Sequence, residues 1–247
     1  MPFKLRPLKS FHPVLENAAD WLFPPVCINC GIEGSLICDD CLAKTSPLGS
    51  PRCVYCGDRL KRKGFCKRCA GRTWYFDEVR QYAIYAGALA SAVRAIKYGH
   101  NFFLARHLTG MLLSAMEGCD WQVDLITAVP LSPRHERSRG YNQAALLAQP
   151  LADLLKLPYL GKAIRRSRET RSQVNLNLAE RQLNVSGAFS ANPDLVRGRR
   201  VLIVDDVYTT GATLNECARA LKDSGAKEVY ALALCKALHS LETASIG

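Results

Sequence analysis

The sequence has no apolar run approaching the roughly 18 residues of a membrane span, so no spanning helix is expected. Lys4, Arg6 and Lys9 lie near the start, but Pro7, Pro13 and the polar Glu16, Asn17 and Asp20 leave no apolar stretch of a signal peptide. A reducing, cytoplasmic compartment is the expectation that follows. The five histidines show no ligand spacing, which leaves metal chemistry to other residues. Acidic residues are scarce: 22 Asp and Glu face 33 Lys and Arg, a net charge of +11, and this favours an anionic partner. The excess is clustered. Arg52, Arg59, Lys61, Arg62, Lys63, Lys67, Arg68 and Arg72 stand against Asp58 alone in one 21-residue stretch. With 48% hydrophobic and 22% charged residues, disordered and fibrous classes are excluded, and 247 residues leave room for one large domain and a small one.

Cysteine, by contrast, is abundant. Eight of the eleven fall as four CxxC pairs: Cys27 and Cys30, Cys38 and Cys41, Cys53 and Cys56, Cys66 and Cys69. An x2 spacing lets one tight turn bring two sulfurs to one ion, and glycine after Cys30 and Cys56 closes such a turn at positive φ with least strain. The segment reads as an internal repeat binding two structural Zn²⁺. Sequential pairing, Cys27, Cys30, Cys38, Cys41 and then Cys53, Cys56, Cys66, Cys69, closes the shorter loops, and spacing alone leaves a cross-braced arrangement open. A thioredoxin-type dithiol would need one CxxC at a helix start after a strand, not four in a Gly- and Pro-rich stretch. Cys119, Cys217 and Cys235 are isolated and read as buried thiols. The module, residues 1–72, is expected to unfold on chelation while residues 73–247 stay cooperative.

Beyond position 72 apolar strands alternate with amphipathic helices. Strands are expected at 79–85, 124–129, 185–189, 200–204 and 228–234, and helices at 87–98, 102–116, 141–155 and 213–224. This is an α/β parallel sheet with helices on both faces, in which ligands bind beyond the strand C-termini. At one such end Val201 to Val204 form an apolar strand, Asp205 and Asp206 follow, and Thr209, Thr210, Gly211, Ala212 and Thr213 open a helix. Backbone N–H groups and threonine hydroxyls there suit a phosphate, and the acids suit sugar hydroxyls or a divalent cation between protein and ligand. The plain alternative is a capped helix beside two loop acids.

These residues resemble the 5-phosphoribosyl-1-pyrophosphate (PRPP) motif of type I phosphoribosyltransferases. The resemblance implies that Asp205 and Asp206 contact the ribose hydroxyls, that 209–213 hold the 5-phosphate, and that Mg²⁺ accompanies PRPP. Ser132, Arg134, Arg137 and Arg139, in Val129-Pro-Leu-Ser-Pro-Arg-His-Glu-Arg-Ser-Arg-Gly-Tyr-Asn-Gln143, then form a pyrophosphate loop opposite, where guanidinium forks match the charge. The stretch from Arg168 to Phe189 reads as a lid or as a solvated charged loop. Together with the cysteine repeat and Leu22-Phe-Pro-Pro, the motifs resemble the ComF/ComFC family, a double zinc ribbon followed by a type I phosphoribosyltransferase-like domain. That resemblance implies a part in natural competence and the use of external DNA, with competence-machinery proteins as candidate partners, while the basic cluster of the cysteine-rich module suits the phosphates of single-stranded DNA. It leaves three readings: a transferase whose acceptor is unknown, with Asp205, Asp206, Arg134 and Arg139 the candidates for catalysis; a DNA-binding protein with a relic pocket; and a scaffold docking through a helix at 14–22 and the ribbons. Tyr55, Phe65 and Trp74 could stack bases, but such aromatics more often pack.

Overall fold

The computed structural model describes residues 24–99, 102–168 and 183–238. The expected helix at 14–22 and residues 169–182 of the lid stretch lie outside them. Four parallel strands form the central sheet: β1 (Glu78–Ile84), β2 (Leu125–Ala128), β5 (Arg200–Tyr208) and β6 (Glu228–Lys236), in the order β1-β6-β5-β2. A separate antiparallel ribbon joins β3 (Ile164–Arg166) to β4 (Phe189–Ala191). The helices are α1 (Asp39–Ala43), α2 (Lys67–Ala70), α3 (Gly87–Tyr98), α4 (Phe102–Ala115), α5 (Pro133–Arg139), α6 (Gln143–Leu155), α7 (Pro193–Val196) and α8 (Ala212–Asp223).

Alternation along buried strands splits the core into two layers. Leu202 and Val204 of β5 and Leu232 and Leu234 of β6 pack with α3, α4 and α6 on one face. Val201, Ile203, Val229, Ala231 and Ala233 pack with Leu214, Cys217, Ala218 and Leu221 of α8 on the other. The cysteine repeats divide the same way: Cys27, Ile37 and Cys41 belong to the first layer, and Cys53, Cys56 and Cys69 to the second. The connecting segment covers the free edge of β1. Leu48 N–H donates to Tyr82 O at 2.9 Å, Ile84 N–H to Ser46 O at 3.1 Å and Val79 N–H to Val54 O at 2.8 Å. An edge that could template aggregation is thereby paired.

Several boundaries differ from expectation. The strand expected at 185–189 is β4 at Phe189–Ala191, because Gly187 at φ +67° turns the chain first. The strand expected to end at Val204 continues to Tyr208, with Asp205 still in the ladder opposite Ala233 and Val207 opposite Cys235. The pyrophosphate segment, expected as a loop, carries the short helix α5: Pro133 opens it and the Ser132 side chain accepts the His135 N–H. Arg52, counted with the clustered basic residues, is buried at 9% exposure and donates to Gln81 O at 2.7 Å.

Candidate functional site

The eight cysteines form two clusters, Cys27, Cys30, Cys38 and Cys41 and then Cys53, Cys56, Cys66 and Cys69, with all sulfurs of a cluster within 4.8 Å of one another. Tetrahedral zinc at about 2.3 Å from each sulfur sets neighbouring sulfurs about 3.8 Å apart. The separations of 3.5 Å for Cys30 and Cys38 and 3.6 Å for Cys56 and Cys66 fit that geometry. The repeat is physical as well as textual. Gly31 and Gly57 take φ +78° and +74° and donate to Cys27 O and Cys53 O, each at 2.9 Å, while Cys38 N–H and Cys66 N–H point at Cys27 Sγ and Cys53 Sγ. α1 and α2 start one residue after Cys38 and Cys66.

At the C-terminal end of β5, Asp206 is 4% exposed and its Oδ2 lies 2.5 Å from Lys97 Nζ, at the end of α3. Gln143 Nε2 donates to Asp206 Oδ1 at 3.4 Å and accepts at Oε1 from Arg139, so the polar chain runs Lys97, Asp206, Gln143, Arg139. Asp205 Oδ1 accepts the Asp206 N–H at 2.9 Å. Desolvation and the adjacent Asp206 charge raise Asp205 well above the ordinary carboxylate range. Desolvation also works to raise Asp206, but the Lys97 ammonium outweighs it, and Asp206 stays below that range. Lys97 is correspondingly held above its ordinary value, its own desolvation overcome by Asp206. The two adjacent carboxylates are thus shifted in opposite directions.

Two residues on, Tyr208 ends the strand and Gly211, at φ +79°, caps α8. Thr210 is buried and its hydroxyl accepts the Ala212 N–H at 3.3 Å; Thr209 and Thr213 are half-buried. Ser132 is buried, Arg139 half-buried, and Arg134 and Arg137 are exposed on α5. Of the arginines read as a pyrophosphate loop, Arg139 reaches the acids, through Gln143. Sequence reasoning missed Lys97, whose ion partner lies 109 positions on, and gave no role to Gln143, although it closes the quoted motif. Of the three aromatics, Tyr55 and Trp74 pack together, stacked at 5.5 Å, while Phe65 is 58% exposed. Arg59, Lys61, Arg62, Lys63, Lys67 and Arg68 are exposed, and Arg68 pairs with Asp58. No helix among the described residues is long and apolar enough to cross a membrane.

Residues 138–245 match the phosphoribosyl transferase domain and residues 18–70 the double zinc ribbon domain. Fold and site therefore define a phosphoribosyltransferase-type α/β domain carrying a double zinc ribbon with two zinc sites. The chain is 31% identical over 225 residues to competence protein F of Haemophilus influenzae, covering 85% of this chain and 96% of that one. It is 32% identical over 225 residues to DNA utilization protein YhgH of Escherichia coli, covering 87% and 98%. Competence protein ComFC of Streptococcus pneumoniae is 26% identical over 209 residues, covering 83% and 89%. The chain belongs to the competence protein F (ComF) family.

Proposed function

We propose that the chain binds PRPP as its Mg²⁺ complex and serves the uptake and use of external DNA, with single-stranded DNA held on the second ribbon. The observation that carries the ligand is the paired acids of β5 followed by a left-handed glycine that opens α8. In this reading Asp205 and Asp206 accept hydrogen bonds from the ribose 2′ and 3′ hydroxyls, and 209–213 take the 5-phosphate. Ser132, Arg134, Arg137 and Arg139 face the pyrophosphate, where their charge would stabilise it as a leaving group. The eight clustered cysteines hold zinc as a structural ion, with residues 1–72 and 73–247 the two functional units. The relatives' names, competence and DNA utilization, support the cellular role.

Calorimetric titration with PRPP tests the ligand. Saturable binding is expected in the presence of Mg²⁺ and strong weakening without it; no binding in either condition contradicts the reading. Burial and the Asp206 charge hold Asp205 above the ordinary carboxylate range in the free protein, and a ribose hydroxyl donating to its carboxylate would lower it. Binding therefore releases a proton, and affinity climbs as pH rises above the ordinary carboxylate range.

For DNA, the exposed basic residues of the second ribbon neutralise phosphates whatever the sequence. With about four charges engaged at roughly −0.7 each, the slope of log K against log salt is about −3, falling to about −1.5 when Lys61, Arg62 and Lys63 become alanine and two are lost. An unchanged slope in that variant places single-stranded DNA elsewhere.

A further inference from the structure

The phosphate loop is held from outside its own domain. Tyr55 lies inside the Cys53–Cys56 turn, and its carbonyl accepts a 2.8 Å hydrogen bond from the Tyr208 hydroxyl, one residue before the loop. The Tyr55 ring stacks on Trp74 with an interplanar angle of 6°, and Trp74 Nε1 donates to Cys69 O at 3.2 Å. Trp74 and Tyr208 close around Gly211: a Cβ there would lie 2.5 Å from Tyr208 Oη and 3.0 Å from Trp74 Cζ3. On the first turn of α8, Asn215 accepts the Tyr75 N–H at 2.7 Å and donates to Thr73 O at 3.1 Å. Buried Lys236, beside Tyr208 in the sheet, pairs with Asp58, two residues after Cys56. The first ribbon sits on the other layer, where Ser91 of α3 donates to Asn29 at 3.2 Å.

We infer that zinc at Cys53, Cys56, Cys66 and Cys69 sets the shape of the phosphate loop, and with it the affinity for the phosphoribosyl ligand. Tyr55, Trp74 and Tyr208 act as positioning residues between the two. The inference rests on the loop being the PRPP site. Four thiols without their ion do not hold one backbone path, so the Tyr55 carbonyl and the Cys69 carbonyl lose their fixed places. Tyr208 and Trp74 then lose the partners that confine Gly211, and the ligand must order the loop as it binds. Coupling of this kind is reciprocal: whatever factor zinc lends to the ligand, the ligand lends to zinc.

That reciprocity gives a test on the intact zinc-loaded protein. Zinc is competed off at equilibrium with a chromogenic chelator, with and without saturating Mg-PRPP, and the freed thiols are mapped by alkylation and peptide mass. Mg-PRPP is expected to raise by about tenfold the chelator concentration needed to free Cys53, Cys56, Cys66 and Cys69, and to leave that for Cys27, Cys30, Cys38 and Cys41 unchanged. Tyr208→Phe, which keeps the ring and the zinc but removes the hydroxyl, is expected to shrink that shift and to weaken Mg-PRPP. Binding of Mg-PRPP with no shift at the second cluster, or an equal shift at both, overturns the inference alone. No binding of Mg-PRPP to the zinc-loaded parent overturns the phosphate-loop reading and this inference with it.

Discussion

Stripping both zinc ions is expected to lower the thermal midpoint of the whole chain, not only of a detachable N-terminal part. Structural zinc contributes about 10 kcal/mol or more to small units of this kind. Cys spacing alone gives a module that comes away by itself, but the packing ties each ribbon to a different layer of the sheet domain. Cys27, Ile37 and Cys41 pack in the layer of α3, α4 and α6, and Cys53, Cys56 and Cys69 in that of α8. Arg52 reaches across to Gln81 O and Ala115 O, and residues 46–54 supply partners to the β1 edge. If half of one site's contribution is shared with the sheet, the midpoint falls by about 10–20 °C, at about 2–4 °C per kcal/mol for a chain of this size. Scanning calorimetry of chelated protein checks this. A transition left at the midpoint of the zinc-loaded protein would show that the sheet domain stands alone.

What was legible in the sequence follows from how local its causes are. The apolar run Val201 to Val204, the TTGAT loop and the periodicity of α8 are consecutive, so strand, loop and helix could be placed from composition alone. The continuation of β5 through Asp205 to Tyr208 could not. Two acids interrupt the apolar run there, and what keeps the chain extended past them is the ladder of Asp205, Val207 and Tyr208 with Ala233, Cys235 and Lys236. β3 and β4 have three residues each, too few to show a period. α5 has no apolar stripe, although Ser132 before Pro133 is a helix-start signal that the reading as a loop passed over. Lys97 shares α3 with the buried Ala92, Val93 and Ile96, and its role depends on a carboxylate on β5. Arg52 looks like its basic neighbours until its guanidinium finds backbone carbonyls.

The acid pair offers the most selective variants. Were the two acids only ribose acceptors, removing both would end ligand binding without loss of fold, but the two are not equivalent. Asp206 neutralises Lys97, and both side chains are largely buried, at 5% and 25% exposure. Asp206→Asn leaves that ammonium without its partner, and a loss of about 1–3 kcal/mol in stability is expected, between the ranges for exposed and for broken buried pairs because Lys97 keeps some solvent. Asp205 is the reverse case. Its raised pKa means that its anion is disfavoured in the folded chain, so stability falls as pH rises from the ordinary carboxylate value towards the raised one. Asp205→Asn removes that cost, and at neutral pH the variant is expected to be as stable as the parent or more so. The proposed ribose contact of Asp205 would be a charge-assisted hydrogen bond of about 1.5–3 kcal/mol, so Mg-PRPP is expected to bind Asp205→Asn about 10- to 150-fold more weakly.

Titration of Asp205→Asn with Mg-PRPP, beside the parent and with the thermal midpoint measured on the same samples, is therefore the most direct measurement of the ribose phosphate site. The arrangement described here predicts a midpoint at or above that of the parent together with an affinity at least about tenfold lower. Equal affinity in a folded Asp205→Asn variant would contradict it.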